Sequence, residues 1–442
     1  MFKDSALAVF IKRYPVLKGA AVFLTRVVAQ FSKRTTLWML VAVVFVMRPV
    51  WKFRFARIRS EKIGHLISET DLALALIISE EAQEIRSTNV FLMPADACNE
   101  QLRKMYLRAG PSVPTVRVLD CRVSRMARLL LPAVNELTVR SQTRGMLQSF
   151  FCGSPTSSGI VHTGLLWPRA PQLTFSRQEV EEGWRACAKL GIAPTTRYVC
   201  LHIRDDAYLQ TVSPDRDWSY HNYRNPDIAS YEPMVRELLD AGFWVVRMGR
   251  AASEMFPVDH ERLIDYPFCE EQSDLLDVFL YAHAYLSIAG SASGIDQLGY
   301  AFGVPAVVTN LIPFEPFMPV PEVHVTPVLL KQQSSDRTMN LEEMMGHVYY
   351  TSDEYERRDV GFQRNTAEEI RRTVHEALQR KLNGWTSKDA KQQAFWKKAR
   401  DVGLFRQAEI GPPGSIYATP TIGRAFLDAH WDELMSGDER SR

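Results

Sequence analysis

Four short apolar runs, set apart by longer mixed stretches, constrain this chain more than any other feature. Residues 198–203 (YVCLHI), 243–246 (FWVV), 284–289 (AYLSIA) and 306–309 (AVVT) are nearly free of charge. A strand wet on one face alternates polar and apolar residues, whereas a continuous run marks a strand covered on both faces. Between the runs, residues 230–241, 275–281 and 295–302 read as helices. This is βαβ grammar, and it implies an α/β fold with parallel strands and helices on both faces.

A weaker copy of the pattern occupies the first half, with strands expected at 53–58, 89–93 and 115–119 and helices over 66–79 and 99–108. Residues 150–175 are rich in Gly, Ser, Thr and Pro, the composition of a connector. Ser176-Arg177-Gln178-Glu179 is a candidate capping box for a helix running to about Leu190. Thr366-Ala367-Glu368-Glu369 opens a second, over 367–381, with Ile370, Val374 and Leu378 as its apolar stripe. At about 100–200 residues per domain, 442 residues make two to three domains. The expected divisions are 1–52, 53–170, 171–385 and 386–442. The last is expected to pack back on the first α/β domain, with Phe426, Leu427, Trp431 and Leu434 as core positions.

Charge is unevenly spread. The chain carries a formal net charge of only +2, yet residues 1–60 hold 12 Lys and Arg against one acid, Asp4. The same segment contains the apolar run 37–47 (LWMLVAVVFVM), bounded by Lys33-Arg34 and Arg48. A spanning helix needs roughly 20 apolar residues, so the run is short for a crossing. A long charged stretch precedes it and no small-residue cleavage site follows, which argues against a signal peptide. Basic residues interleaved with Trp, Phe, Leu and Val suit a segment lying on an anionic membrane surface. A buried helix with a basic rim is the alternative. Elsewhere no basic cluster or recognition motif points to nucleic acid. Six cysteines lie singly, without CxxC, which gives neither a zinc site nor a disulfide framework and fits reduced thiols in the cytoplasm.

In parallel sheets ligands bind at the carboxyl ends of the strands, so the residues just after each apolar run come first. Arg204-Asp205-Asp206 follows the first run, Arg247-Met248-Gly249-Arg250 the second, and Gly290-Ser291-Ala292-Ser293-Gly294 the third. An arginine there can present its planar fork to a phosphate. Small residues before a helix let backbone N–H groups approach an anion. Together these are complementary parts of a diphosphate site. No GxGxxG or GxxxxGK[ST] occurs, so neither a nicotinamide cofactor nor a P-loop nucleotide is indicated, and no GxSxG offers a hydrolase serine. Asp215-Arg216-Asp217 matches an Asp-x-Asp metal motif superficially but sits in a polar loop, so no metal and no cofactor are expected.

The stretch YVCLHIRDDAYL, then HNYRNPDIASY, WVVRMGR, IDYPF, SDLLDVFLYAHAYL and the SGI turn resemble a bacterial family of glycosyltransferases associated with surface polysaccharide synthesis. The likeness covers roughly residues 53–435, with 64–70 (GHLISET) and 97–102 (ACNEQL) as weaker matches. More distantly, His202-Ile203-Arg204 is similar to the strand end of fucosyltransferases with two Rossmann-like domains facing a cleft, the GT-B type. The resemblance implies a nucleotide-diphosphate sugar donor, a glycan or lipid-linked glycan acceptor and no obligatory metal. The basic N-terminal segment suits a lipid-linked acceptor and places the expected work at the inner face of the cytoplasmic membrane.

Carried over position by position, it gives Arg204 the donor diphosphate and makes Ser293 and Gly294 the phosphate-facing turn. Asp296 would reach a sugar or ribose hydroxyl, and His221, Asn222, Arg224, Asn225 and Asp227 would line the donor site. Asn225-Pro226-Asp227 also reads as a helix start with an Asx cap. Arg247, Gly249, Gly290 and Ser291 complete the donor set. For the base that deprotonates the acceptor, His65 after Gly64 is favoured, with Asp205, Asp206 and His221 as alternatives. An inactive nucleotide-sugar-binding scaffold and a nucleotide-sugar epimerase share the same expected architecture.

Overall fold

The structure, a computed structural model, describes residues 50–81, 87–109, 115–141, 173–314, 322–384, 389–402 and 420–437, with isolated positions between 35 and 47. The segment 1–52, expected to associate with a membrane, and the expected connector 150–175 thus lie almost wholly outside the described residues. Among the described residues, no helix is long and apolar enough to cross a membrane.

The fold is mixed α/β, with parallel sheets. From the N-terminus, β1 (Lys52–Arg57), α1 (Ile63–Glu81), β2 (Ser87–Met93), α2 (Glu100–Ala109), β3 (Val116–Asp120) and α3 (Arg125–Ser141) alternate. The second half runs α4 (Arg177–Lys189), β4 (Tyr198–Ile203), α5 (Ala207–Val212), α6 (Glu232–Asp240), β5 (Trp244–Arg247), β6 (Leu263–Asp265) and α7 (Asp274–His283). It continues through β7 (Leu286–Gly290), α8 (Gln297–Ala301), β8 (Ala306–Leu311), β9 (Val323–Pro327), β10 (Leu329–Gln332) and β11 (Arg337–Thr338). The chain closes with α9 (Leu341–Gly346), α10 (Ser352–Arg357), β12 (Val360–Gln363), α11 (Ala367–Asn383), α12 (Ala390–Asp401), β13 (Thr421–Ile422) and α13 (Arg424–Met435).

The chain divides into two compact units, of which the first holds residues 1–59, 80–96 and 110–154. Its described strands form a parallel sheet in the order β1-β2-β3. Phe55, Leu92, Cys121, Ala127 and Val134 make its core.

The second unit holds residues 60–79, 97–109 and 155–442. Its larger described sheet is parallel, in the order β13-β9-β8-β7-β4-β5-β6. Every residue of β7, β8 and β9 is buried, which is why β7 and β8 read as unbroken apolar runs. Val199, Leu201, Leu286, Ile288 and Val307 pack against Val235, Leu238 and Leu239 of α6 and Ile370, Val374 and Ala377 of α11. Each fully buried Val, Leu or Ile side chain contributes ~1.5–3 kcal/mol. Both expected capping boxes form: Ser176 N donates to Glu179 Oε2 at 2.7 Å, and Thr366 N to Glu369 Oε2 at 2.7 Å.

Several expectations are revised. The divisions near 53 and 171 do not follow the compact units, because 60–79 and 97–109 belong to the second. Asn99 Nδ2 donates to the Asp274 carbonyl at 3.1 Å, and Glu100 N donates to Asp274 Oδ2 at 2.6 Å, binding the start of α2 to α7. The described tail residues pack within the second unit. Phe426, Leu427 and Leu434 of α13 join a cluster with Val323, Val325 and Phe395 in the second unit, and His430 Nε2 lies 2.6 Å from Glu369 Oε1 of α11. The helix expected from 230 begins as a 3-10 turn, Ile228–Tyr231, because Asp227 Oδ1 accepts from Ala229 N at 3.0 Å. The sequence reading also lacked β6, β9 and the antiparallel sheet β11-β10-β12.

Candidate anion site at the switch point of the large sheet

Strand order reverses beside β4. From β4 the chain moves outward through β5 and β6, then returns to β7 on the other flank and continues through β8 and β9. Where successive crossovers leave in opposite directions a crevice opens at the carboxyl edge, the usual ligand position in open α/β sheets. Ile203, the last residue of β4, pairs in register with Gly290, the last of β7. Arg204 and Ser291 therefore emerge next to each other.

Arg204 is 7% exposed. Its Nη1 donates to Asn225 Oδ1, and to the His221 carbonyl at 3.4 Å, and lies 3.7 Å from Asp206 Oδ1. Asn225 Nδ2 in turn donates to Asp206 Oδ1 at 3.1 Å and to Asn222 Oδ1 at 3.3 Å. So Arg204, Asp206, Asn222 and Asn225 form one network. Burial, then the nearby Arg224, lowers the Arg204 pKa to about 10, which leaves it a cation at neutral pH. Arg224 Nη2 lies 3.0 Å from His221 Nδ1. Burial and the cations Arg224, Arg204, Lys62 and Arg216 push His221 down to about 4. This 3-10 segment, Ser219–Arg224, is also aromatic: the Tyr220 and His221 rings are 3.9 Å apart, and Arg216 sits 4.6 Å over Trp218.

The turn after β7 is tightly built. Ser291 has φ +81 and is fully buried, and its N–H donates to the Thr309 carbonyl at 2.7 Å. Gly290 has no room for a side chain, since a Cβ would lie 2.7 Å from Tyr231 Oη. Gly294 packs against Gly64, so the first turn of α1, which carries His65, abuts the turn. Among the described residues, Ser291 Oγ, Arg224 Nε and Arg364 Nη1 are buried and lack a hydrogen-bond partner. Such groups call for an explanation, and an excess of donors beside several cations fits an anionic ligand.

Other expected site residues have different work. Arg247 is 2% exposed; its Nη1 donates to the Glu254 carbonyl at 2.6 Å and to Asp265 Oδ1 at 3.2 Å. It ties β5 to β6. Gly249 (φ +146) turns the backbone after it. Asp205 Oδ1 accepts from Ala207 N at 3.0 Å, and Oδ2 from Ser253 N at 2.9 Å and Oγ at 3.1 Å. With both oxygens engaged it anchors loops and is poorly placed as a base. Asp227 caps the following turn, the helix-start reading of NPD. Asp296 is 4% exposed and takes the Ser293 N–H on Oδ2 at 2.9 Å, so it holds the turn. Burial raises its pKa strongly and lowers that of the neighbouring His202 to about 4. Asp217 Oδ1 accepts from Ser219 N at 2.9 Å in an exposed loop.

Sequence reasoning missed the polar network behind the turn. Tyr231 Oη lies 2.8 Å from Thr309 Oγ1 and accepts from Asn310 Nδ2 at 3.0 Å, and Asn365 N donates to Asn310 Oδ1 at 2.8 Å. It also missed Arg364, whose Nη2 donates to the Tyr223 carbonyl at 2.9 Å.

Comparison with protein-family models gives no match, and comparison with curated proteins gives none either. Among solved structures the chain is similar to a glycosyl transferase family 9 protein from Veillonella parvula, at 10% identity and a TM-score of 0.43, covering 74% of this chain and 97% of that one. It is similar to the iron-containing dodecameric glycosyltransferase TibC from enterotoxigenic E. coli, at 14% identity and 0.30, covering 61% of each chain. A third is UDP-GlcNAc 2-epimerase from Methanocaldococcus jannaschii, at 9% identity and 0.27, covering 74% and 99%. These scores are low, and what the site can do is read from this chain's own residues.

Proposed function

We propose that the chain is a glycosyltransferase of the two-domain GT-B type, moving a sugar from a nucleotide-diphosphate sugar to a hydroxyl of a glycan. The observation that carries this reading is the pairing of Arg204 with the Gly290–Gly294 turn at the switch point. The departing diphosphate gathers negative charge as the bond to the sugar breaks. Arg204 and Arg224, with the N–H groups of the turn, are arranged to stabilise that charge without waiting for water to reorient. Cationic side chains thus take the part a divalent ion plays in metal-dependent transferases. His65, on the helix end packed against the turn, is the favoured base. His221 is held by a guanidinium and Asp205 by two loops, which supports His65 over both.

The basic, apolar segment 1–52 supports a lipid-linked acceptor and attachment to the inner face of the cytoplasmic membrane. The test is release of nucleoside diphosphate from a panel of nucleotide sugars, with and without acceptor glycolipid in anionic vesicles. Acceptor-dependent release supports the transferase. Binding without turnover would point to the scaffold, and an altered sugar formed without acceptor to the epimerase.

A further inference from the structure

The site's two histidines make hydrogen bonds that assign opposite tautomers. Arg224 can only donate, so His221 Nδ1, 3.0 Å from Arg224 Nη2, must be the acceptor and the ring proton sits on Nε2. Neutral His221 is therefore a donor and has no free lone pair for a proton. His65 is reversed. Its Nδ1 lies 2.7 Å from Glu69 Oε1, one helical turn later on α1. A carboxylate only accepts, so Nδ1 carries the proton and Nε2 holds the lone pair. Glu69 is 6% exposed whereas the His65 side chain is 37% exposed, which leaves the ring reachable and its carboxylate shielded.

We propose that Glu69 is a positioning residue that fixes His65 with Nε2 unprotonated and offsets the charge the ring acquires as a base. The step rests on the transferase reading above. The acceptor O–H gives its proton to His65 Nε2 while its oxygen bonds to the anomeric carbon. The bond from that carbon to the diphosphate oxygen breaks, and its electron pair leaves on the diphosphate beside Arg204. The resulting imidazolium faces Glu69, as in catalytic sites where a buried carboxylate orients a histidine. Other charged groups near the ring's helix end are Lys62, 5.7 Å above the Trp218 ring, and Asp296, buried behind the turn.

Glu69→Gln keeps the shape and a hydrogen-bond acceptor but removes the charge. In the full chain, it should lower kcat about 10- to 100-fold with little change in donor KM. Nitrogen-15 NMR of labelled histidines, with His65 assigned from the His65→Gln spectrum, should show the Nδ1–H tautomer in the wild type. An Nε2–H tautomer, or an unchanged kcat in folded Glu69→Gln, overturns the proposal. If the wild type turns over no donor, yet His65 is Nδ1–H, the dyad stands and the transferase reading falls.

Discussion

Gly64 and Gly294 meet backbone to backbone: a methyl group on Gly64 would lie 2.7 Å from Gly294 Cα, and one on Gly294 3.0 Å from Gly64 N. This contact brings the helix end that carries His65 against the turn that follows β7. Gly64→Ala must push that turn aside, and overpacking of this kind costs ~1–3 kcal/mol. The variant should melt earlier and bind nucleoside diphosphate more weakly, measured by thermal denaturation and calorimetric titration. An unchanged melting temperature would mean that the contact is loose.

Ser291 occupies a left-handed backbone position (φ +81) with its hydroxyl buried and unpartnered. A non-glycine residue there costs ~1–2 kcal/mol. Ser291→Gly should therefore raise the melting temperature while weakening donor binding through loss of the hydroxyl. Higher stability with unchanged affinity would remove Ser291 Oγ from the site.

Arg247 separates a structural cation from a ligand-binding one. Breaking a buried ion pair by removing one partner costs ~3–5 kcal/mol. Arg247→Ala leaves Asp265, its partner at 3.2 Å, uncompensated. A large fall in urea midpoint with donor affinity retained in the folded fraction is expected. The converse pattern would return Arg247 to the donor site.

Acid should destabilise the second unit through His202. Burial lowers its pKa from 6.5 to about 4, so between those values the unfolded chain binds more protons than the folded one. The neutral histidine's contribution is whole above pH 6.5 and is lost as the pH falls toward 4, at up to ~1.4 kcal/mol per pH unit. Melting temperatures followed from pH 7.5 to 5 should fall less steeply for His202→Asn than for the wild type. Parallel curves would contradict a buried neutral His202.

What could be read from the sequence was what burial writes into it. β4, β7 and β8 were legible because covered strands are apolar throughout. β9 was not, although it is fully buried, because His324 and Thr326 interrupt its apolar run. β6 is three residues at the sheet's edge, too short to carry a pattern. Arg204 stands out in the sequence as a cation after a central strand, whereas the bond from Arg247 to Asp265 on β6, 18 residues away, leaves no local pattern. The bond from Ser293 N to Asp296 leaves no mark in the sequence, because it depends on which way the turn folds. Glu69 was within reach, four residues after His65 on an expected helix, the spacing at which side chains meet.

The most direct measurement is calorimetric titration of UDP, GDP, ADP, dTDP and CMP into the full chain and into folded Arg204→Ala. Charge-assisted hydrogen bonds are worth ~1.5–3 kcal/mol, so one nucleotide should bind selectively to the wild type and at least about 10-fold more weakly to the variant. Equal affinity in the two proteins, or no binding of any nucleotide to the wild type, would contradict a diphosphate site at the ends of β4 and β7.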